Sequence, residues 1–144
     1  MRHVPRSRRP SGFTLIEVLL VLTILVVIAS LVAVNINTAR RKARIDAAKS
    51  QVGMFKTPLQ MYELAVGSYP TTAQGLEALR TAPADLPNPA KWDRPYLDSP
   101  VPLDPWGNPY QYISPGTHNP DGYDVWSYGP DGVNDTEDDI GNWN

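Results

Sequence analysis

The sequence predicts an α+β fold, in which a long N-terminal α-helix packs on a small antiparallel β-sheet followed by an acidic C-terminal loop. The first half of the 144-residue chain is rich in apolar residues and helix formers. Most of its 15 Pro and 10 Gly follow residue 66, and the segments that favour β-structure come later still. A chain of this length supports one modest domain.

Composition excludes several classes of function. The chain has 13 Lys and Arg, 15 Asp and Glu, a formal net charge of −2 and no Cys. It therefore lacks the general basic field of nucleic-acid binders, and we expect no nucleic-acid partner. Without Cys there is no disulfide, thiolate metal site or thiol nucleophile. Basic residues concentrate in the first ten positions and over residues 40–49, whereas residues 121–139 are acidic.

The first structural element is an almost wholly apolar run over residues 13–34, after a basic leader. As an α-helix, roughly 22 residues reach about 33 Å, enough to cross a bilayer core of about 30 Å. A secretory signal peptide has a similar pattern. Glu17 argues against that alternative, because a carboxylate in an apolar segment costs several kcal/mol unless it is paired. Basic residues flank both ends of the run, so charge alone leaves its orientation open.

Residues 35–66 predict an amphipathic continuation of the same helix. One apolar stripe recurs at alternating spacings of three and four, and we expect it to pack on the following domain. Pro58, with Gly53 nearby, predicts a bend or break around residues 53–57, where Thr57 would cap a restarted helix. The stripe consists of Ile45, Ala48, Val52, Phe55, Leu59 and Tyr62.

Residues 67–144 predict a compact domain. Thr71 and Gln74 indicate a capping box that opens a short helix ending near Arg80, with Leu76 and Leu79 on its buried face. A Pro-rich loop without regular structure extends from there to Tyr96. After a dense turn over residues 104–109, strands are expected over residues 110–113 and 123–128. The four Trp residues are expected to serve in packing: Trp92, Trp106, Trp126 and Trp143.

The acidic loop over residues 131–139 contains no Lys or Arg. Carboxylates at this density repel one another, so a compact loop calls for a cation. Oxygen donors without Cys favour Ca²⁺. The pattern is not an EF-hand, and a solvated loop without metal is the alternative. The acidic residues are Asp131, Asp135, Glu137, Asp138 and Asp139.

The string Ser11-Gly12-Phe13-Thr14-Leu15-Ile16-Glu17 resembles the type III leader of the type IV pilin and pseudopilin superfamily. The resemblance implies a pilin-like fold and a prepilin peptidase that removes residues 1–12 by cutting between Gly12 and Phe13, then methylates Phe13. It also implies that residues 13–34 form a transmembrane and assembly helix. In the family's fibres, the new N-terminal ammonium of a neighbouring subunit neutralises the acid at the position of Glu17.

Further segments resemble the major pseudopilins of type II secretion systems, and the resemblance covers residues 12–143. These segments are Tyr69-Pro70-Thr71-Thr72, Gln74-Gly75-Leu76-Glu77-Ala78-Leu79, Pro95-Tyr96-Leu97, Asp104-Pro105-Trp106-Gly107-Asn108-Pro109-Tyr110 and Asp139-Ile140-Gly141-Asn142-Trp143.

The resemblance implies a single-pass protein of the bacterial inner membrane with its C-terminal domain, residues 67–144, in the periplasm. Its copies would form a homopolymer, the periplasmic pseudopilus that drives type II protein secretion. The implied partners are the prepilin peptidase, an inner-membrane assembly platform, minor pseudopilins and membrane lipid. Two alternatives are a type IV pilus subunit acting in adhesion or motility, and a membrane-anchored calcium-binding periplasmic module that does not polymerise.

The resemblance also implies one Ca²⁺ in the acidic loop, closing it over Trp126 and Trp143. The implied ligands are the side chains of Asp131 and Asp138 and the carbonyls of Tyr128, Val133 and Thr136. Because this loop is shorter and poorer in Gly than the family pattern, Asp135 or Asp139 could substitute.

No catalytic machinery is expected. His3 and His118 are the two His residues, His3 lies in the leader, and the sequence contains neither a nucleophile elbow nor a Gly-rich phosphate loop. The chain is therefore predicted to be a structural subunit and not an enzyme. Four basic residues are expected to pair with acidic groups of adjacent subunits: Arg40, Arg41, Lys42 and Arg44.

Overall fold

The computed structural model describes residues 12–143, and within that range the side chains of residues 31–35 lie outside the description. The elements confirm the predicted α+β class, and the chain divides into two compact units after Arg40. In order, they are α1 (Leu15–Met54), α2 (Lys56–Val66), 3₁₀ helices at Leu76–Leu79 and Pro89–Lys91, β1 (Gln111–Ile113), β2 (Asp124–Ser127), a 3₁₀ helix at Gly129–Asp131, and β3 (Ile140–Gly141).

The first unit consists of the N-terminal part of α1. Thr14 caps the helix, because its Oγ1 accepts a hydrogen bond from the Glu17 N–H at 3.3 Å. The large apolar side chains between Phe13 and Ile28 are 46–85% exposed. This exposure follows from a sequence that is apolar around the whole helix circumference instead of along one stripe.

Two predictions concern this N-terminal region. The leader prediction for residues 1–11 lies outside the described residues. Within residues 12–143, no helix combines the length and the apolar character needed to cross a membrane. The membrane span over residues 13–34 stays a prediction. The predicted domain boundaries also stay predictions, and α1 continues through residues 34 and 35 without interruption.

The predicted helix break is confirmed at Phe55, but the predicted cap is wrong. Phe55, not Thr57, is the N-cap of α2, and its side chain makes no capping hydrogen bond. Pro58 is the third residue of α2, where an N–H would have no partner inside the helix, so the ring is accommodated without a lost bond. Gly67 ends α2 with φ 102°, and its N–H donates to the Glu63 carbonyl at 2.7 Å.

The hydrophobic core lies in the second unit and contains most of the predicted apolar stripe. Val52, Phe55, Leu59 and Tyr62 are buried in it, whereas Ile45 is only half-buried. Phe55 packs edge to face on Tyr110, with ring centroids 5.4 Å apart. The other buried members are Leu76, Ala78, Leu79, Leu86 and Val125. Burial of this stripe is the main force that fixes the helix on the domain.

The predicted capping box forms, and the predicted short helix after it is a 3₁₀ helix that ends at Leu79, with Arg80 as its C-cap. The Thr71 N–H donates to Gln74 Oε1 at 2.9 Å, and the Gln74 N–H donates to Thr71 Oγ1 at 3.3 Å. Gly75 follows with φ 60° and ψ −166°, a conformation that interrupts α-helical geometry. A short 3₁₀ helix results, with Leu76 and Leu79 buried as predicted.

The Pro-rich segment is more regular than predicted. A 3₁₀ turn at Pro89–Lys91 begins at Asn88, whose Oδ1 accepts a hydrogen bond from the Ala90 N–H at 3.2 Å. Proline at the first helical position loses no intrahelical bond, which is why Pro89 permits the turn. Trp92 then packs against the core, and its Nε1–H donates to the Ala78 carbonyl at 2.9 Å.

The sheet has the order β1-β2-β3 with antiparallel pairing throughout. Two predicted strands are confirmed in slightly shorter form, whereas β3 is not predicted because only two residues pair. In register, Tyr112 lies opposite Val125, and Trp126 lies opposite Gly141. The Trp143 ring covers Gly141, where a Cβ would lie only 2.4 Å from ring carbons.

Two leucines of α2 provide a matched test of this packing. Leu59 is 0% exposed and Leu64 is 91% exposed. Leu59→Ala should lower the free energy of unfolding by about 2–5 kcal/mol, because it leaves a cavity in the core. Leu64→Ala should change it by less than about 0.5 kcal/mol. Urea denaturation of the purified proteins measures both, and equal effects would contradict the described core.

Candidate assembly and metal sites

The N-terminal candidate site contains Phe13 and Glu17. Gly12 and Phe13 precede α1, and both are exposed. Among the described residues other than its chain neighbour, no atom lies within 4 Å of the position that a Cβ on Gly12 would take. Phe13 and Glu17 line one open groove of about 330 Å³ together with Val18, Val21 and Leu22. The structure therefore places the predicted cleavage site in accessible backbone, one helical turn from the acid.

Glu17 occupies the first turn of α1, where the positive end of the helix dipole favours a carboxylate. Its side chain is exposed, and within residues 12–143 it forms no salt bridge. The surrounding side chains are apolar, so any helix or lipid that covered this groove would also desolvate the carboxylate. The acid would then need a positive partner or would have to take up a proton.

The acidic loop is folded back on itself at Gly129. This residue has φ 71°, and a Cβ there would lie 2.1 Å from the Asp138 carbonyl oxygen. Only Gly permits this close approach. The contact brings the segment that contains Asp131 next to the segment that contains Asp138, which are the two predicted side-chain ligands.

Hydrogen bonds within the loop orient several of the predicted ligands. Asp131 Oδ1 accepts from the Val133 N–H at 3.0 Å, and the Thr136 hydroxyl donates to the Val133 carbonyl at 3.4 Å. Asp135 has φ 66°, and its N–H donates to Asp139 Oδ2 at 2.9 Å. Asp139 therefore also serves in shaping the loop.

The oxygen donors of the acidic loop fit a hard cation that is bound by few carboxylates. Among the described residues, no group of three or more Asp, Glu or His side chains is arranged to hold a metal ion. The predicted set has two carboxylates, so backbone carbonyls of Tyr128, Val133 and Thr136 would supply the remaining oxygens. Calcium accepts such mixed oxygen sets.

Arg41 lies at the edge of the loop. Its Nη2 is 4.0 Å from Asp138 Oδ2, and both side chains are partly exposed. Arg41 was expected to pair with an adjacent subunit, yet it has an acidic partner in its own chain. At this distance and exposure the pair contributes little to stability.

A buried carboxylate that the sequence analysis missed supports the base of the loop. Asp104 Oδ2 accepts from the Ser127 hydroxyl at 2.5 Å, and Asp104 Oδ1 accepts from the N–H groups of Trp106 and Asn108 at 3.0 and 2.8 Å. Ser127 Oγ in turn accepts from the Gly129 N–H at 3.0 Å. The turn over residues 104–109 is thus bonded to the first residue of the loop's 3₁₀ helix.

A second missed carboxylate, Asp124, closes the turn before β2. It is buried, and it accepts from the backbone N–H groups of His118 and Asn119 at 2.7 and 3.1 Å and from Asn119 Nδ2 at 2.8 Å. Burial alone would raise the pKa of Asp124, but the hydrogen bonds from His118, Asn119 and Thr117 lower the pKa below its ordinary value.

The aromatic residues beside the loop pack on one another. The His118 ring stacks on Trp143 with centroids 3.9 Å apart, and Trp143 lies 6.0 Å from Trp126. Trp126 Nε1–H donates to Asn134 Oδ1 at 3.0 Å, which ties the ring to the loop. These contacts agree with a packing role for both Trp residues.

Known proteins resemble this chain both in its C-terminal part and at its N-terminus. Residues 35–143 match the family model described as type II secretion system protein G, and residues 7–33 match the prokaryotic N-terminal methylation motif. Type II secretion system core protein G of Dickeya chrysanthemi is 47% identical over 138 residues, covering 96% of this chain and 89% of that protein. The corresponding protein of Aeromonas hydrophila is 46% identical over 140 residues, covering 96% of each chain.

A solved structure shows the same architecture. The crystal structure of the major pseudopilin from the type 2 secretion system of enterohaemorrhagic Escherichia coli matches with a TM-score of 0.66 and 41% identity. The match covers 74% of this chain and 87% of that one. Fold and N-terminal motif define the class as a pilin-like protein. Within that class, the chain belongs to the type II secretion system protein G family.

The buried Asp124 predicts a specific dependence of stability on pH. Its lowered pKa means that the ionised carboxylate stabilises the fold above the unfolded-state pKa of about 3.9, and that this contribution is lost as pH falls through the folded-state pKa. Asp124→Asn should lower the free energy of unfolding at pH 7 by about 1–3 kcal/mol. The difference in the free energy of unfolding between Asp124→Asn and the unmodified chain should become smaller below about pH 4.

Urea denaturation at a series of pH values measures this difference. Asp98→Asn is the matched control, because Asp98 is exposed and its replacement should change stability at pH 7 by less than about 0.5 kcal/mol. A constant difference for Asp124→Asn across the acidic range would contradict the assignment.

Proposed function

We propose that this chain is the structural subunit that polymerises into the periplasmic pseudopilus of a type II secretion system. The observation that carries the proposal is an N-terminal methylation motif joined to a helix whose apolar side chains are exposed, in a chain of the protein G family. A helix with this much apolar surface needs lipid or other helices around it. Membrane storage followed by helical stacking supplies both environments in turn.

Processing and location follow from the same features. The prepilin peptidase removes residues 1–12 and methylates Phe13, and residues 13–34 anchor the mature chain in the inner membrane. The C-terminal domain then lies in the periplasm. The accessible backbone at Gly12 and Phe13 supports cleavage there. The proposed role is mechanical and structural, and no step of it requires catalysis by this chain.

Glu17 is proposed to couple processing to assembly. Cleavage creates a new ammonium group on Phe13, and packing of one helix against the next removes Glu17 from water. A buried carboxylate is tolerated when an opposite charge lies within about 4–6 Å. Neutralisation of Glu17 by the Phe13 ammonium of a neighbouring subunit therefore stabilises cleaved chains that are correctly stacked. Uncleaved or misaligned chains do not gain this stabilisation.

Replacement of Glu17 tests this role. Glu17→Leu should leave the chain in the membrane, because the apolar run becomes longer, but should abolish fibres. Glu77→Leu is the matched control, since Glu77 is exposed in the C-terminal domain, and it should form normal fibres. Cell fractionation and electron microscopy of cells that overproduce each variant give the two readouts. Normal fibres from Glu17→Leu would remove the proposed role.

The proposed calcium site stabilises the acidic loop. Asp131 and Asp138 would hold Ca²⁺ together with the carbonyls of Tyr128, Val133 and Thr136, and Asp135 or Asp139 could replace one carboxylate. The bound ion supplies positive charge that relieves repulsion among these oxygens. The close approach at Gly129 and the oxygen-only donor set support this proposal. An affinity of roughly 10⁻⁴–10⁻³ M suffices outside the cytoplasm.

Removal of calcium gives a quantitative test. At about ten times the dissociation constant, Ca²⁺ should stabilise the fold by about 1.4 kcal/mol. For a domain of this size, chelation should therefore lower the melting temperature by roughly 6–11 °C. The combined variant Asp131→Asn with Asp138→Asn should show no such response.

Asp98→Asn with Asp121→Asn is the control, because it removes the same charge outside the loop. Mg²⁺ in place of Ca²⁺ separates specific coordination from general screening. An unchanged melting temperature and unchanged protease resistance after chelation of the unmodified chain would reject the site.

The two alternative functions predict different observations. A type IV pilus subunit would give surface fibres with adhesion or motility as the phenotype, and the family match to a secretion-system protein favours the pseudopilus instead. A calcium-binding module that does not polymerise would remain monomeric at every level of expression. Electron microscopy of overproducing cells separates the non-polymerising module from the two fibre subunits, and assays of secretion, adhesion and motility separate those two from each other.

A further inference from the structure

A groove of about 470 Å³ opens on the second unit beside the break between α1 and α2. Lys49 of α1 and Lys56 of α2 both line it, as do Tyr69 and Tyr123, whose rings pack edge to face at 4.9 Å. Of the described residues that line the groove, none is Asp or Glu. The groove therefore has a cationic edge and an aromatic wall.

The two Lys residues have no ion-pair partner among the described residues, and a carboxylate near the aromatic wall, that of Glu63, lies beside the Tyr69 hydroxyl. Lys49 and Lys56 are exposed and lie roughly 10 Å apart along the helix. Neither ammonium group forms a salt bridge with any residue in the described range. Asp46 is one helical turn before Lys49, but it does not line the groove.

The amides at the groove already have partners in the domain. Asn142 Nδ2 donates to the Tyr123 carbonyl at 3.0 Å, and Asn119 Nδ2 donates to Asp124 Oδ1 at 2.8 Å. These bonds hold the groove in shape, and the two ammonium groups are the charged groups that line it. Its chemistry suits an acidic segment of another protein chain.

We propose that the groove binds the acidic loop tip of a second copy of this chain, residues 135–137. This inference rests on the proposed polymer. Asp135 and Glu137 are exposed. Glu137 is not among the proposed calcium ligands, and Asp135 is only a substitute ligand there. The loop contains no Lys or Arg, and its described salt bridge, from Arg41, reaches Asp138 instead of the tip. The excess charge of the tip is thus complementary to that of the groove.

The contact is between two different surfaces of the same domain. Such a heterologous contact repeats from copy to copy, and it builds an open filament when the rotation between copies does not close a ring. Exposed charge pairs mainly select orientation and register, while the apolar N-terminal helices provide most of the stabilisation. The groove therefore sets how each domain is placed against the next.

Disulfide trapping tests the contact directly, because the chain has no Cys of its own. The full-length double variant Lys56→Cys with Glu137→Cys should form a ladder of linked subunits in fibres exposed to the oxidising periplasm. The ladder should collapse on reduction, and each single variant should give dimers at most. Lys56→Cys with Asp98→Cys is the matched control pair.

Fibres of the double variant without a ladder above the control would overturn the proposed contact while leaving the proposed polymer intact. Absence of fibres from the unmodified chain would instead reject the polymer itself. These two failures are therefore distinguishable by electron microscopy of the same samples.

Charge exchange provides an independent measurement if the Cys pair impairs assembly. Lys49→Glu with Lys56→Glu should reduce fibre yield at least about tenfold, and Glu137→Lys in the same chain should restore at least part of it. Arg94→Glu, at an exposed position outside the groove, should leave the yield unchanged. An unchanged yield after reversal of both Lys residues, or a loss that the exchange does not restore, would overturn the inference.

Discussion

A lone carboxylate in an otherwise apolar helix end is the constraint on which the proposed function depends. Glu17 lies among exposed apolar side chains, and covering that surface with lipid or another helix would remove the Glu17 carboxylate from water. The apolar surface favours contact with lipid or with another helix, while the carboxylate limits which of these contacts is favourable. A neighbouring chain whose cleaved N-terminus carries an ammonium satisfies both demands. In the proposed polymer, assembly would depend on processing through one ion pair, and the geometry of stacking would depend on where that pair can form.

The C-terminal domain meets a different requirement, which is to hold a loop rich in acid in one conformation. One buried carboxylate supports the start of this loop, and a second holds the turn before β2. Asp104 connects the turn over residues 104–109 to Ser127 and Gly129, and Asp124 closes the turn before β2. Gly129 then permits the close approach of the loop's two ends. The proposed calcium ion would neutralise charge in a framework that hydrogen bonds already define, leaving the tip acids to face outward.

The helices and the core could be predicted from the sequence because their signals are local. The spacing of Val52, Phe55, Leu59 and Tyr62 identified the buried face, and Thr71 with Gln74 identified the capping box. The cap of α2 was predicted wrongly, since it depends on how Phe55 fits its surroundings, and the 3₁₀ form of the predicted short helix depends on the conformation of Gly75. Strand β3 and the roles of Asp104 and Asp124 arise from partners far along the chain, which no local pattern reveals.

Solid-state NMR on fibres of mixed labelling measures the central ion pair most directly. One half of the subunits would carry ¹³C in the Glu side-chain carboxyl and the other half ¹⁵N in Phe, whose amino nitrogen at Phe13 is distinguishable from the amide of Phe55. The account predicts carbon–nitrogen dipolar coupling between the Glu17 carboxyl and the Phe13 ammonium at roughly 4 Å, from different subunits. Intact fibres in which Glu17 shows no such coupling would contradict it.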